Sequence, residues 1–232
     1  MTKVVVGQIN ARHSSVVWTL LEMAVSSAKG GVDVLLIQEP PPLAFSQAGV
    51  WKGFQAFYAQ GPQPLTMIMV RKNLKACQYN VPGDRVCGIE VHVGVESALF
   101  FSAYFRHGTG EGMDQLAKVL TLSQELAPFR LVGLDSNGHS PLWGPDEVEL
   151  DKIGELTEDV LGEGDLIVVN HRDSPPTFYG DRGQRSWIDI TAASPALAPR
   201  IVDWKVDIAN DVASDHRLIV TRIMGKPQRA IV

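Results

Sequence analysis

Apolar residues recur along the chain in two rhythms, short unbroken runs and helical spacing. Residues 4–9 form a short apolar run broken by Gly7-Gln8 and closed by Asn10, which predicts a buried strand. Val17, Leu20, Leu21, Ala24, Val25 and Ala28 then recur at i, i+3, i+4, i+7, i+8 and i+11. That is an amphipathic helix, with Ser14 or Ser15 to cap it and Gly30-Gly31 to stop it. Val34-Leu35-Leu36-Ile37-Gln38-Glu39 predicts a second buried strand ending in a carboxylate, and Pro40-Pro41-Pro42 forbids its continuation.

The middle of the chain is β-rich. Runs at 66–71, 77–81, 86–93 and 98–105 are separated by turn chemistry such as Pro82-Gly83-Asp84, and their close spacing predicts antiparallel hairpins. A helix over 113–126 leads into an apolar strand at 130–134. Another helical pattern passes through Val148, Ile153, Leu156 and Val160, and strands at 166–169, 187–191, 202–208 and 218–223 close the chain. Alternating strands and helices with antiparallel runs predict a mixed α/β fold, with helices covering two packed sheets.

Composition narrows the picture. A chain of 232 residues with 45% apolar and 20% charged positions fits one large globular α/β domain and excludes disordered or collagen-like classes. The formal charge of −5 argues against holding nucleic acid or anionic membrane by bulk charge, although one basic loop can still touch DNA. Cys77 and Cys87 form no CxxC unit, which excludes zinc ribbons and redox motifs and points to a reducing compartment. The opening apolar run is too short for a signal peptide, and no stretch reaches the roughly 18 apolar residues that a membrane helix needs. No internal repeat or low-complexity tract appears. Gly225-Lys226-Pro227-Gln228-Arg229 reads as a linker, as expected of a domain cut from a longer polypeptide.

Asn10, Glu39, Asp135 with Asn137, Asp189, and Asp215-His216 are read as standing at the ends of apolar strands, each followed by loop residues. Loops held by a rigid sheet are where sites are built. A single Asp or Asn after a strand is ordinarily a turn former or helix cap. Five such positions, with a histidine preceded by an acid, shift the reading toward a site.

Gln8-Ile9-Asn10, Gln38-Glu39, Tyr104, Gly133-Leu134-Asp135-Ser136-Asn137, Ser186-Trp187-Ile188-Asp189 and Ser214-Asp215-His216 occur in an order and spacing that resembles the endonuclease/exonuclease/phosphatase superfamily. That superfamily includes apurinic endonucleases and deoxyribonuclease I. The resemblance runs over residues 4–223. The tract Asp-Ser-Asn-Gly-His-Ser-Pro-Leu-Trp-Gly at 135–144 is most similar to the endonuclease domain of non-LTR retrotransposons, especially the insect clade that inserts into ribosomal DNA or telomeric repeats. The resemblance implies a four-layer α/β sandwich of the DNase I type over residues 1–224. Residues 225–232 would then be a linker toward a downstream reverse transcriptase.

The resemblance also implies roles. Glu39 would hold Mg²⁺ (or Mn²⁺) with Asn10 beside it, and Asp215 would take a metal or structural part. Asp135 would orient or deprotonate the attacking water, and Asn137 would donate to the scissile phosphate. His216 would contact the phosphate, its tautomer and charge fixed by Asp189, and Tyr104 would offer its phenol. These roles suit phosphodiester cleavage, which needs an attacking hydroxide, a cation and groups that stabilise the leaving oxyanion. Mg²⁺ keeps several waters and takes few carboxylates, so a sparse ligand set fits it.

Ser214 and Thr177 stand at matching positions, either as phosphate contacts or as turn hydroxyls. Apurinic endonucleases carry an acid two residues after the first Asn; this chain has Arg12. A cation there disfavours a second metal and suits a phosphate, which favours plain nicking over abasic-site repair. Phe178-Tyr179-Gly180-Asp181-Arg182-Gly183-Gln184-Arg185 predicts a hairpin. The matching loop of related retrotransposon endonucleases is thought to enter the minor groove, which would make Arg182 and Arg185 groove or phosphate contacts. His13, His92, His107 and His171 lack a matched acid in sequence and read as surface or core residues, whereas His139 lies in the Asp135 loop. The five tryptophans are scattered without the spacing of a stacking platform, so core packing is the expectation.

The expectation is therefore a Mg²⁺-dependent endonuclease acting on double-stranded chromosomal DNA in the nucleus, leaving a 3′-hydroxyl that primes reverse transcription. A phosphomonoesterase of the same superfamily is one alternative, disfavoured by the 135–144 tract and by the missing basic pocket. A catalytically inactive DNA-binding module is the other, disfavoured by the intact acid–amide–histidine set.

Overall fold

The computed structural model describes residues 3–27, 31–46, 50–93 and 96–225; the expected helix stop at Gly30 and the tail at 226–232 lie outside them. The first sheet comprises β1 (Lys3–Asn10), β2 (Val34–Gln38), β3 (Phe54–Tyr58), β4 (Thr66–Arg71), β13 (Ile201–Asp207) and β14 (Leu218–Met224), in the order β13-β14-β1-β2-β4-β3. The second comprises β5 (Lys75–Tyr79), β6 (Val86–Val93), β7 (Glu96–Tyr104), β8 (Arg130–Asp135), β9 (Ile167–Val168) and β12 (Asp189–Ala193), in the order β5-β6-β7-β8-β12-β9. A ribbon of β10 (Phe178–Tyr179) and β11 (Arg185–Ser186) stands apart from both. Both sheets are mixed, because β1–β2 and β7–β8 run parallel among otherwise antiparallel pairs.

Alternation along each strand builds the layers. In β1, Val4 and Val6 face the second sheet, where they meet Cys87, Ile89 and Phe100, while Val5 and Ile9 face outward onto helix α1 (Ser15–Ser27). On the far side Phe101, Val132 and Ile190 pack against Leu116 and Leu120 of α2 (Met113–Gln124) and Leu161 of α3 (Lys152–Glu163). Helix, sheet, sheet, helices: this is the expected four-layer α/β sandwich.

Several boundaries differ from the sequence reading, each for a local reason. β3 has no counterpart there; it is a half-buried edge strand. Glu39 falls outside β2 because its φ of +46° turns the chain out of the strand. α3 starts only at Lys152, where Asp151 caps it by accepting from the Gly154 N–H at 2.6 Å, so Val148 belongs to the preceding turn. β12 begins at Asp189, since residues 185–186 belong to the ribbon.

Polar bonds pin the two sheets at the end that carries the site. Gln8 on β1 donates to Leu134 O at 3.2 Å and accepts from the Thr191 hydroxyl at 3.0 Å. Gln38 on β2 donates to the Ser102 hydroxyl and to Gly133 O, each at 3.1 Å. Gly133 is what lets the sheets approach: a Cβ there would lie 2.7 Å from Leu36 Cδ1 and 2.9 Å from Gln8 Oε1.

Candidate active site

The strand register gathers the functional residues at one end of the sandwich. β1 and β2 run parallel and end together, which puts Asn10 beside Glu39. β7 and β8 do the same for Tyr104 and Asp135. β12 runs antiparallel to β8 and starts opposite its end, so Asp189 faces Asp135. His216 closes the loop before β14, the antiparallel neighbour of β1. Half the site therefore comes from each sheet.

Asn10 is the hub. Its side-chain N–H₂ donates to Glu39 Oε2 at 2.9 Å and to Asp135 Oδ2 at 2.8 Å, while its Oδ1 accepts from the Arg12 backbone N–H at 2.8 Å. That last bond fixes the amide orientation. Asn10 thus shows the acids its nitrogen, which cannot ligate a metal. In this structure the side chain expected beside the metal bridges the two carboxylates instead.

His216 is buried, with Nδ1 at 3.1 and 3.0 Å from the two oxygens of Asp189 and Nε2 at 4.0 Å from both Asp135 and Asp215. Burial disfavours the imidazolium, but Asp189, Asp135 and Asp215 more than offset this and push the pKa up to about 9. Burial, with Asp189 and Glu39 nearby, pushes the Asp135 carboxyl up to about 7 against the opposing pull of His216 and Asn10. Tyr104 is pushed well above the usual phenol range by burial and then by the charges of Glu39 and Asp135, so it stays a neutral donor, hydrogen-bonded to Glu39. Asn137 donates one amide hydrogen to Phe105 O at 2.9 Å and its backbone N–H to Asp135 Oδ1 at 3.2 Å.

Other sequence-derived residues sit at this end in different capacities. Arg12 pairs with Asp215 at 3.0 Å, which raises the question of a metal at Asp215; its other oxygen, Oδ1, is buried without a hydrogen-bond partner. Thr177 and Ser214, grouped by sequence with DNA contacts, are buried. Thr177 Oγ1 accepts from the Ile188 and Asp189 N–H groups, and Ser214 donates to Asn10 O while accepting from the His216 N–H. In this structure their hydroxyl oxygens hold the backbone around Asp189, Asn10 and His216, as turn hydroxyls do. Arg182 and Arg185 are exposed on the ribbon, whose base is tied to the site by a bridge from Phe178 to His216.

Two histidines need correction. His13 does have an acid partner: its Nε2 lies 3.5 Å from Glu39 Oε1 and its backbone N–H donates to Glu39 O at 2.7 Å. His92 stands beside Cys77 and Glu90. For His13 the missing signal was tertiary, because Glu39 arrives from the end of β2; for His92, Glu90 stands two residues away on the same strand and only Cys77 comes from the neighbouring one. His139 pairs through Nδ1 with Asp151 at 2.7 Å and through Nε2 with Ser186 at 3.2 Å, linking the Asp135 loop, the α3 cap and the ribbon. Arg12, His13, Glu39 and Asn137 all have positive φ, and strain concentrated like this is typical of sites held by their surroundings.

The donor set fits a divalent cation. Glu39 is a hard oxygen donor at a partly exposed strand end, and the site gathers Glu39, Asp135, Asp189 and Asp215, with His216, Arg12 and a half-exposed His13 beside them. Asp135 is raised first by its burial, and the neighbouring charges of Asp189 and Glu39 add to this. Asp135, Asp189 and His216 also lie close enough together to share an ion, but Asp189 is already hydrogen-bonded to Nδ1, which makes the Glu39 side the better place.

Residues 98–220, more than half of the chain, match the model of the Endonuclease-reverse transcriptase family. The chain belongs to that family. Among solved structures, the endonuclease domain of TRAS1, a telomere-specific non-LTR retrotransposon, superposes with a TM-score of 0.81 at 24% identity, covering 97% of this chain and all of that one. The apurinic endonuclease LMAP from Leishmania major gives 0.76 at 14% identity over 97% of this chain and 88% of that one. The 3′ phosphatase NExo from Neisseria, bound to a product DNA hairpin, gives 0.71 at 15% identity over 96% and 100%. The family member described here thus has the fold of the endonuclease/exonuclease/phosphatase proteins. No curated protein sequence matches it.

Proposed function

We propose that this chain is the endonuclease domain of a non-LTR retrotransposon. It nicks double-stranded chromosomal DNA in the nucleus with Mg²⁺ and leaves a 3′-hydroxyl for a reverse transcriptase in the same polypeptide. The observation that carries this reading is the convergence of Glu39, Asn10, Asp135, Asp189 and His216 in one hydrogen-bonded cluster within a member of the Endonuclease-reverse transcriptase family.

Glu39 would hold the ion, which when bound supplies positive charge at the phosphate. The remaining work falls to the chain's own side chains. Asp189 holds Nδ1 of His216, which leaves Nε2–H of the imidazolium to donate to a phosphate oxygen. Asp135, with one oxygen on Asn10 and the other on the Asn137 N–H, is held rigidly, and its raised pKa suits a base that takes a proton from water near neutral pH. Neutral Tyr104 has one hydroxyl hydrogen, for which Glu39 and a phosphate oxygen would be alternative acceptors, and Asn137 has a second amide hydrogen to give. Arg182 and Arg185 on the exposed ribbon would meet the duplex.

Supercoiled plasmid tests the reading. The expected result is conversion to open circles with Mg²⁺, arrest by EDTA, and nicks that a polymerase extends without prior end repair. Failure to nick, with release of phosphate from small phosphomonoesters, would favour the phosphatase reading instead.

A further inference from the structure

We propose that Cys77, Glu90 and His92 form a second metal site, selective for a zinc-class ion, at the end of the second sheet opposite the active site. The antiparallel register places Cys77 directly across from Glu90, and His92 follows two residues on, so all three share one face. Inward-facing Ile89 and Val91 fill the core between the sheets, which assigns Glu90 and His92 to the outer face. Their ligand atoms lie within 4.8 Å of one another, and Cys77 Sγ donates to Glu90 Oε2 at 3.8 Å. Small side-chain adjustments bring such atoms to metal-ligand spacing, with the metal replacing the thiol proton.

The strand is anchored beside the site. Tyr79, two residues from Cys77 on the same face, packs edge-on against Phe101 with ring centroids 5.7 Å apart and fixes β5 to its neighbours. Cys77 itself is exposed, so an ion can reach it. Lys75 pairs with His92 across the strands, but it is exposed and its long stem can carry the ammonium into water.

The donor set identifies the ion. One thiolate, one imidazole and one carboxylate suit Zn²⁺ with three protein ligands and a water in the fourth position. Mg²⁺ and Ca²⁺ prefer all-oxygen sets, so the ion proposed for Glu39 would not compete here. The two sites differ in that only this one offers sulfur.

Co²⁺ titration of the reduced full chain provides the test, since thiolate ligation gives a near-ultraviolet charge-transfer band that oxygen ligands cannot. The expected result is a band saturating at one Co²⁺ per chain and displaced by Zn²⁺. Cys77→Ser and His92→Ala should abolish it, and Glu90→Gln should weaken Co²⁺ binding. Cys87 is not a competing source, because it faces the core between the two sheets, away from Cys77 and out of solvent. Thermal melting of each variant checks folding. No band in the folded wild-type chain, or a band that survives Cys77→Ser, overturns the site.

Discussion

Nδ1 of His216 lies 3.1 and 3.0 Å from the two carboxylate oxygens of Asp189, and the pair bridges the two sheets: Asp189 opens β12 of the second, whereas His216 precedes β14 of the first. If Asp189 acts through the imidazole, losing either residue cripples the same step. We predict that Asp189→Ala and His216→Ala each reduce nicking by about 10²–10⁴-fold and that the double variant is little worse. Losses that multiply would show independent roles and remove the dyad.

The same pair makes stability depend on pH. His216 titrates near 9 when folded and near 6.5 when exposed, so its protonated form binds more tightly in the folded state. Its contribution is fully present below about pH 6.5 and disappears as pH rises through about 9. In EDTA, the melting temperature of wild type relative to His216→Asn should therefore fall over that window. A difference that does not vary with pH would contradict the assignment.

Glu39 sits in a left-handed conformation among other acids, so its charge serves activity at the expense of stability. We predict that Glu39→Gln lowers nicking by at least about 10²-fold while leaving the metal-free melting temperature unchanged or higher. Near wild-type nicking at limiting Mg²⁺ would sink the assignment of the ion to Glu39.

His139 ties the ribbon to α3 through Ser186 and Asp151. His139→Ala is expected to keep plasmid nicking while blurring the cut-site pattern on a preferred target, because the ribbon loses its brace. Asp151→Ala removes a helix cap as well and should destabilise the fold by about 1 kcal/mol in denaturant titration. An unchanged cut-site pattern in His139→Ala would confine the histidine to a structural part.

Arg182→Ala with Arg185→Ala separates groove reading from phosphate contact. A groove reader loses site preference while unselective nicking survives; phosphate contacts alone weaken all cleavage alike and flatten its salt dependence. A double variant identical to wild type in rate and pattern would clear the ribbon of either part.

The layers were legible because alternation and helical spacing survive in the sequence: Val4, Val6 and Val5, Ile9 divide between two cores as their positions demand. The site's strand-end acids and His216 were legible through their resemblance to a family, since spacing alone cannot tell a ligand from a turn former. What stayed hidden depends on register between distant strands. His13 meets Glu39 only because β1 and β2 end together, and His92 meets Cys77 only through the β5–β6 pairing. The commitment of Thr177 to the backbone of Asp189 was equally invisible, because nothing in a threonine's identity says whether its hydroxyl faces solvent.

Gln8 and Gln38 touch no reacting group, yet they tie one sheet to the other beside the apolar core that the sheets share. A small translation along that seam would leave every strand ladder and both outer cores whole. It would nevertheless open the gap between Asp189 and His216 and between Asn10 and Asp135, because each pair has one member on either side. The two buried glutamines thus behave like dowels in a split mould. The chain can lose the alignment of its casting long before it loses its shape, and heat should silence it as a catalyst at temperatures where a spectroscopist would still call it folded.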